Sequence, residues 1–258
     1  MIASRDGTRI AVWKSGLGTP LVLVHGTSAD HTRWQPVLSE LGKDFTVYAM
    51  DRRGRGGSGD SAEYAIEREF EDIAAVVESI GGPVDLLGHS YGALCSLEAS
   101  LLSRNLRRLV LYEPPVPAGA PIFPPGIIEK LQALLDAGDR EGVVTTFMRE
   151  VPRVPPDQLA LMRSLPAWQG RVAAAHTIVR EEKANMAYKF RPERFEGMKT
   201  PTLLLLGGAS PLFFKAAIDR VSAALPDQRV AVLPGQQHTA MDTGPALFLG
   251  EVLTFLRD

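Results

Sequence analysis

The sequence predicts an α/β fold with a mostly parallel sheet and helices on both of its faces, and three observations carry that prediction. Four short apolar runs, residues 20–25, 45–51, 84–89 and 107–113, each end in a polar or glycine-rich turn. Unbroken apolar runs of this kind suit strands buried on both faces of a parallel sheet. Helix-length stretches separate them: in 67–80, Phe70, Ile73, Ala74, Val77 and Ile80 recur at three- and four-residue steps, which gives an amphipathic helix one apolar stripe. Strand and helix then alternate, as βαβ units with right-handed crossovers require.

At the N-terminus, residues 1–5 and 8–12 flank Asp6-Gly7, a dipeptide that tolerates positive φ and favours a tight antiparallel hairpin. The alternation stops after Glu113, where Pro114-Pro115 and a scatter of proline and glycine up to Gly126 break regular structure. Residues 127–194 read mainly as helices punctuated by Pro152, Pro155, Pro156, Pro166 and Pro192. Strand patterning resumes at 202–206 and 229–233, and a final helix over 245–256 carries Leu249, Val252, Leu253 and Leu256 on one face.

A chain of 258 residues is long enough for one domain with a large core and an insertion. Hydrophobic residues make up 45%, charged residues 22%, and the formal net charge is -2, so no electrostatic footprint for nucleic acid or an acidic membrane surface is present. The N-terminus lacks the apolar core of a secretory signal, and no apolar run reaches membrane-spanning length. Cys95 is the single cysteine and forms no internal disulfide, which makes the cytoplasm the expected location. The five histidines show no zinc-ligand spacing, and no metal is expected.

Gly88-His89-Ser90-Tyr91-Gly92 fits the pattern G-x-S-x-G, after an apolar run and before a helical stretch with Leu94, Leu97 and Leu101 on one face. A strand that turns sharply into a helix strains its apex residue, and only small flanking residues let the two backbones approach. Gly88 and Gly92 meet that need, so Ser90 is a candidate nucleophile with an exposed hydroxyl. The helix start beyond it offers N–H groups and a positive dipole end to a developing oxyanion. A serine needs a base that titrates near neutrality, which points to a histidine.

Three further features surround the elbow in order: His25-Gly26-Thr27 after a strand, Asp51-Arg52-Arg53-Gly54-Arg55-Gly56-Gly57-Ser58 after the next, and Gln237-His238 near the C-terminus. Together they resemble the α/β-hydrolase family over nearly the whole chain. The resemblance implies the α/β-hydrolase fold, with a mostly parallel eight-stranded sheet and a helical lid inserted after strand six. The core domain would span 1–114 and 197–258, and the cap 115–196. It also implies an oxyanion hole formed by the amides of Thr27 and Tyr91, and His238 as the catalytic base in the chain order Ser, acid, His.

The commonest family pattern places an aspartate in the loop after the penultimate strand. Here that loop reads Gly207-Gly208-Ala209-Ser210-Pro211, and Ser210 supplies no carboxylate. Some members take the acid from the end of the strand beside the nucleophile's strand, where this chain has Glu113; Asp242, four residues past His238, is the alternative.

The expected function is therefore that of a serine esterase, cleaving a small, moderately apolar carboxylic ester or lactone through an acyl-enzyme without a cofactor. Cofactor-free haloperoxidases or perhydrolases, C–C bond hydrolases and acyl transferases use the same triad, and a non-catalytic ligand-binding protein on a degenerate scaffold is a further alternative prompted by Ser210. Phe123, Ile127, Leu131, Phe147, Met148 and Trp168 of the insertion are candidate pocket residues. The expected partner is a small molecule rather than nucleic acid or membrane, with a homo-oligomer left open.

Overall fold

The computed structural model describes residues 1–258. Strands β1 (Ile2–Ala3) and β2 (Arg9–Ile10) pair antiparallel as a separate ribbon, with Ile2 opposite Ile10. The main sheet contains β3 (Val12–Ser15), β4 (Thr19–Val24), β5 (Phe45–Met50), β6 (Val84–His89), β7 (Leu106–Tyr112), β8 (Thr202–Gly207) and β9 (Gln228–Leu233). Their order is β3-β5-β4-β6-β7-β8-β9, and every pair is parallel except β3 with β5.

The sheet thus has seven strands where the family resemblance implies eight. The cause lies at Ala11, whose N–H donates to Ser58 Oγ at 2.8 Å while its carbonyl accepts from Asp51 N at 3.0 Å. That diversion splits the N-terminal run into β2 and β3 and leaves the first hairpin outside the main ladder.

Two apolar layers cover the sheet because successive strand residues point to opposite faces. Leu21, Leu23, Val47, Ala49, Val110 and Leu203 pack against helices α1 (Gln35–Leu41), which follows a 3₁₀ turn at His31–Trp34, and the C-terminal helix Pro245–Arg257. On the other face, Val22, Val24, Leu86, Leu109, Leu111 and Leu204 pack against α2 (Ile66–Ser79) and α3 (Tyr91–Ala99).

Five helices lie between β7 and β8: α4 (Ile127–Asp136), α5 (Arg140–Glu150), α6 (Pro156–Ser164), α7 (Ala167–Ala173) and α8 (Ala175–Ala187). A 3₁₀ turn at Pro192–Phe195 leads back to β8, after which α9 (Leu212–Ala224), α10 (Ala240–Thr243) and α11 (Pro245–Arg257) complete the chain. No helix is long and apolar enough to cross a membrane.

After β4 the chain adds β5 on one side of the sheet, and after β6 it adds β7, β8 and β9 on the other. The adjacent carboxyl ends of β4 and β6 therefore flank the crevice where open α/β sheets bind ligands.

Candidate active site

Ser90 joins β6 to α3 with φ 56° and ψ -128°, a conformation that L residues rarely adopt. Its N–H donates to Tyr112 O at 2.8 Å, and its carbonyl accepts from Ala93 N at 2.7 Å. A Cβ on Gly92 would stand 2.3 Å from the His25 carbonyl oxygen, and one on Gly26 would stand 2.8 Å from Ser90 Cβ. The end of β4 reaches the elbow only because both positions lack a side chain.

That close approach carries Thr27 to the nucleophile. Thr27 N–H makes no hydrogen bond within the protein, and Tyr91, as the first residue of α3, has one of the amides an α-helix leaves without an internal partner. Both residues line a cavity with Ser90. His25 is structural: its Nδ1 donates to Gly26 O at 2.8 Å and its Nε2 accepts from Arg52 N at 3.1 Å. Burial holds its pKa well below the ordinary histidine value.

Glu113 follows β7 directly and has φ 48°. Its fully buried carboxylate is held at both oxygens: Oε1 accepts from Gly207 N at 2.7 Å, and Oε2 accepts from His238 Nδ1 at 2.5 Å. With Nδ1 as donor, Nε2 of His238 is left as an acceptor. The ring of Phe214 stacks on His238 at 4.4 Å and 15°. On the other side, the ring of His89 lies 4.7 Å away and its Nε2 donates to His238 O at 2.8 Å. Burial, with His238 close by, keeps His89 neutral by lowering its pKa well below the usual value. Tyr112 fixes the backbone on both sides of His238, since its hydroxyl donates to Gln237 O and accepts from Ala240 N at 3.2 Å.

Asp242 is placed elsewhere: its Oδ1 accepts from Arg33 Nη1 at 2.8 Å. Ser210, at the position of the usual acid, has a buried hydroxyl without a partner. Of the two carboxylates considered from the sequence, the fold brings Glu113 to His238.

Ser90 and His238 line two small cavities, of about 30 and 20 Å³, that also share Thr27, Phe147 and Pro152. Among the pocket residues expected from the insertion, Phe147 and Met148 line this space. Ile127, Leu131 and Trp168 instead pack inside the core formed with α4–α8, and Phe123 rests against it. Their apolar spacing reports burial without naming the surface that covers them.

The site also contains charged residues that the sequence did not reveal. Arg33 and Arg171 line the first cavity, and Glu182 lines the second. Burial raises the Glu182 carboxyl to about 8, so it is mostly protonated at neutral pH.

The loop after β5 braces the site from below. Asp51 accepts from His31 N and Gly57 N, each at 2.8 Å, and from Trp13 Nε1 at 3.0 Å. Asp30, His31 and Asp51 bring potential ligand atoms within 4.8 Å of one another, but the Asp51 oxygens are already committed to these donors. Arg52 is buried between Glu69 and Glu181, 3.3 and 2.7 Å away, with its guanidinium over the Tyr91 ring.

The model of the alpha/beta hydrolase family matches residues 21–251. The chain is 26% identical to 2-(acetamidomethylene)succinate hydrolase of Mesorhizobium japonicum over 259 residues, covering 95% of this chain and 90% of that protein. It is 38% identical to N-formylmaleamate deformylase of Pseudomonas putida over 105 residues, covering 39% of each. The crystal structure of an alpha/beta hydrolase from Sphaerobacter thermophilus superposes with a TM-score of 0.86 at 37% identity, covering 99% of both chains.

Proposed function

The chain belongs to the alpha/beta hydrolase family, and from that premise we propose that it is a serine hydrolase cleaving a small carboxylic ester or amide through an acyl-enzyme on Ser90. One observation carries the reading: the Glu113–His238 hydrogen bond leaves His238 Nε2 as an acceptor in the cavity that holds the strained Ser90. His238 takes the Ser90 proton as Oγ attacks the carbonyl, then gives it to the leaving group. The amides of Thr27 and Tyr91 stabilise the tetrahedral oxyanion. Water, deprotonated by the same imidazole, then releases the acid and restores Ser90. Glu113 fixes the imidazole tautomer and stabilises its cation.

Residues 115–196 act as the cap in this reading, supported by Phe147, Met148 and Met162 in the cavity wall. The binding-only alternative rested on the missing aspartate at Ser210, and the carboxylate of Glu113 supplies what that position lacks.

The names of two relatives favour an N-acyl bond over a simple ester: a hydrolase of an acetamido compound and a deformylase of an N-formyl compound. The same groups serve either bond, with His238 protonating an amine instead of an alcohol. A fluorophosphonate probe tests the common step. Rapid labelling of Ser90, abolished in Ser90→Ala, is expected; folded protein that resists labelling would refute the reading.

A further inference from the structure

Five arginines in this protein are buried: Arg33, Arg52, Arg53, Arg55 and Arg171. Four have a carboxylate partner, namely Asp242 for Arg33, Glu69 and Glu181 for Arg52, Asp72 and Asp6 for Arg53, and Glu181 for Arg55. Arg171 has none, although it is only 8% exposed. Its protein contacts are two neutral acceptors, Ser28 O at 3.1 Å and Ser28 Oγ at 3.3 Å, both from Nη1. Nε and Nη2 have no hydrogen-bond partner, and the side chain lines the cavity shared by Ser90, His238 and Thr27.

A buried cation that no carboxylate bonds directly is costly, and proteins ordinarily pair or neutralise it. Arg171 stays cationic at neutral pH even though burial, with Arg33 nearby, lowers its pKa to about 10. Arg33 lines the same cavity with its bond to Asp242, and the carboxylates of Asp242 and Asp30 act on Arg171 only through space, neither bonding its guanidinium. Glu182, facing the neighbouring cavity, is mostly protonated below pH 8 and contributes little opposing charge.

The geometry points to Arg171 as a substrate-binding residue that receives a carboxylate, which makes the substrate an acyl compound carrying a free carboxylate, such as the half-ester or half-amide of a dicarboxylic acid. The planar guanidinium suits that partner because two N–H groups can meet two carboxylate oxygens. The inference rests on the hydrolytic reading above and narrows the moderately apolar substrate expected from the sequence to an anionic one.

Two matched ester pairs test it. Mono-p-nitrophenyl succinate against p-nitrophenyl pentanoate places the charge on the acyl side, and 4-acetoxybenzoate against its methyl ester places it on the leaving side. The wild type should favour the anionic member of at least one pair by about tenfold or more in kcat/KM. Arg171→Met should lower kcat/KM for the anionic ester about tenfold more than for its neutral partner, erasing the preference, and a circular-dichroism spectrum and melting transition like those of wild type show that the variant folds. Arg171→Lys should retain part of the preference, having charge without the fork.

Equal use of both members of both pairs by the wild type would overturn the assignment, as would a preference that survives in Arg171→Met. If no ester is turned over and Ser90 resists fluorophosphonate, the hydrolytic reading fails separately. Calorimetric titration with succinate then decides the site: binding by wild type that is lost in Arg171→Met supports it, and no binding by wild type overturns it.

Discussion

Glu113 Oε2 lies 2.5 Å from His238 Nδ1 across 125 residues of sequence. The contact exists because β7 and β8 are neighbours: Gly207, at the end of β8, donates its N–H to the other Glu113 oxygen and orients the carboxylate toward the histidine loop. The adjacent strands β6 and β7 thus deliver Ser90 and Glu113, and only the histidine comes from a loop.

Glu113→Gln should reduce turnover of a p-nitrophenyl ester by roughly 10³–10⁴-fold, because an amide neither stabilises the imidazolium nor enforces the tautomer. Asp242→Asn should change it less than about tenfold, since Asp242 serves Arg33. Steady-state kinetics of the two variants check this, and the reverse ranking would move the acid role to Asp242.

Gly92→Ala forces a Cβ to within 2.3 Å of a backbone oxygen, where no side chain can rotate away. A loss of about 1–3 kcal/mol or more is expected, read as a lower midpoint in chemical denaturation. Gly26→Ala presses on Ser90 Cβ at 2.8 Å, and its main effect should be slower fluorophosphonate labelling of folded protein.

Tyr112→Phe removes the hydroxyl that joins Gln237 O and Ala240 N. The half-buried Gln237 O and the buried Ala240 N lose a partner, at a cost of about 1–3 kcal/mol. Because His238 lies between them, kcat should fall along with thermal stability. Unchanged kcat in a destabilised variant would mean that the tyrosine holds the loop without positioning the imidazole.

Glu182 gives stability a distinct pH dependence. Its carboxyl titrates at about 8 in the fold against an ordinary 4.5, so between those values the folded state holds a proton that the unfolded chain has released. Stability from this group is therefore present below about pH 4.5 and is lost as pH rises toward 8, at about 1.4 kcal/mol per unit of pKa difference. Glu182→Gln has no proton to lose, and its melting temperature relative to wild type should rise between pH 5 and pH 8.5. A constant gap across that range would refute the elevated value.

The sheet was legible because unbroken apolar runs such as Val84–His89 and Phe45–Met50 have one reading when polar turns bound them and helices lie between. The break at Ala11 was hidden because it depends on a serine hydroxyl 47 residues away. Ser90 and His238 stood in local motifs, and Glu113 stood out as a carboxylate at a strand end. Arg171 and Glu182 gave no such signal. A charged residue in an amphipathic helix ordinarily occupies the solvated face, and only the packing of α7 and α8 over the sheet ends reveals that these two face inward.

The cavities at Ser90 hold about 30 and 20 Å³, room for a water or two. Helices α5 and α7 contribute Phe147, Met148 and Arg171 to their walls. Were these helices to part for substrate entry, the apparent dissociation constant would exceed the intrinsic one by the reciprocal of the open fraction. A substitution that loosens the seam between these helices would tighten apparent binding without altering one bond of the chemistry.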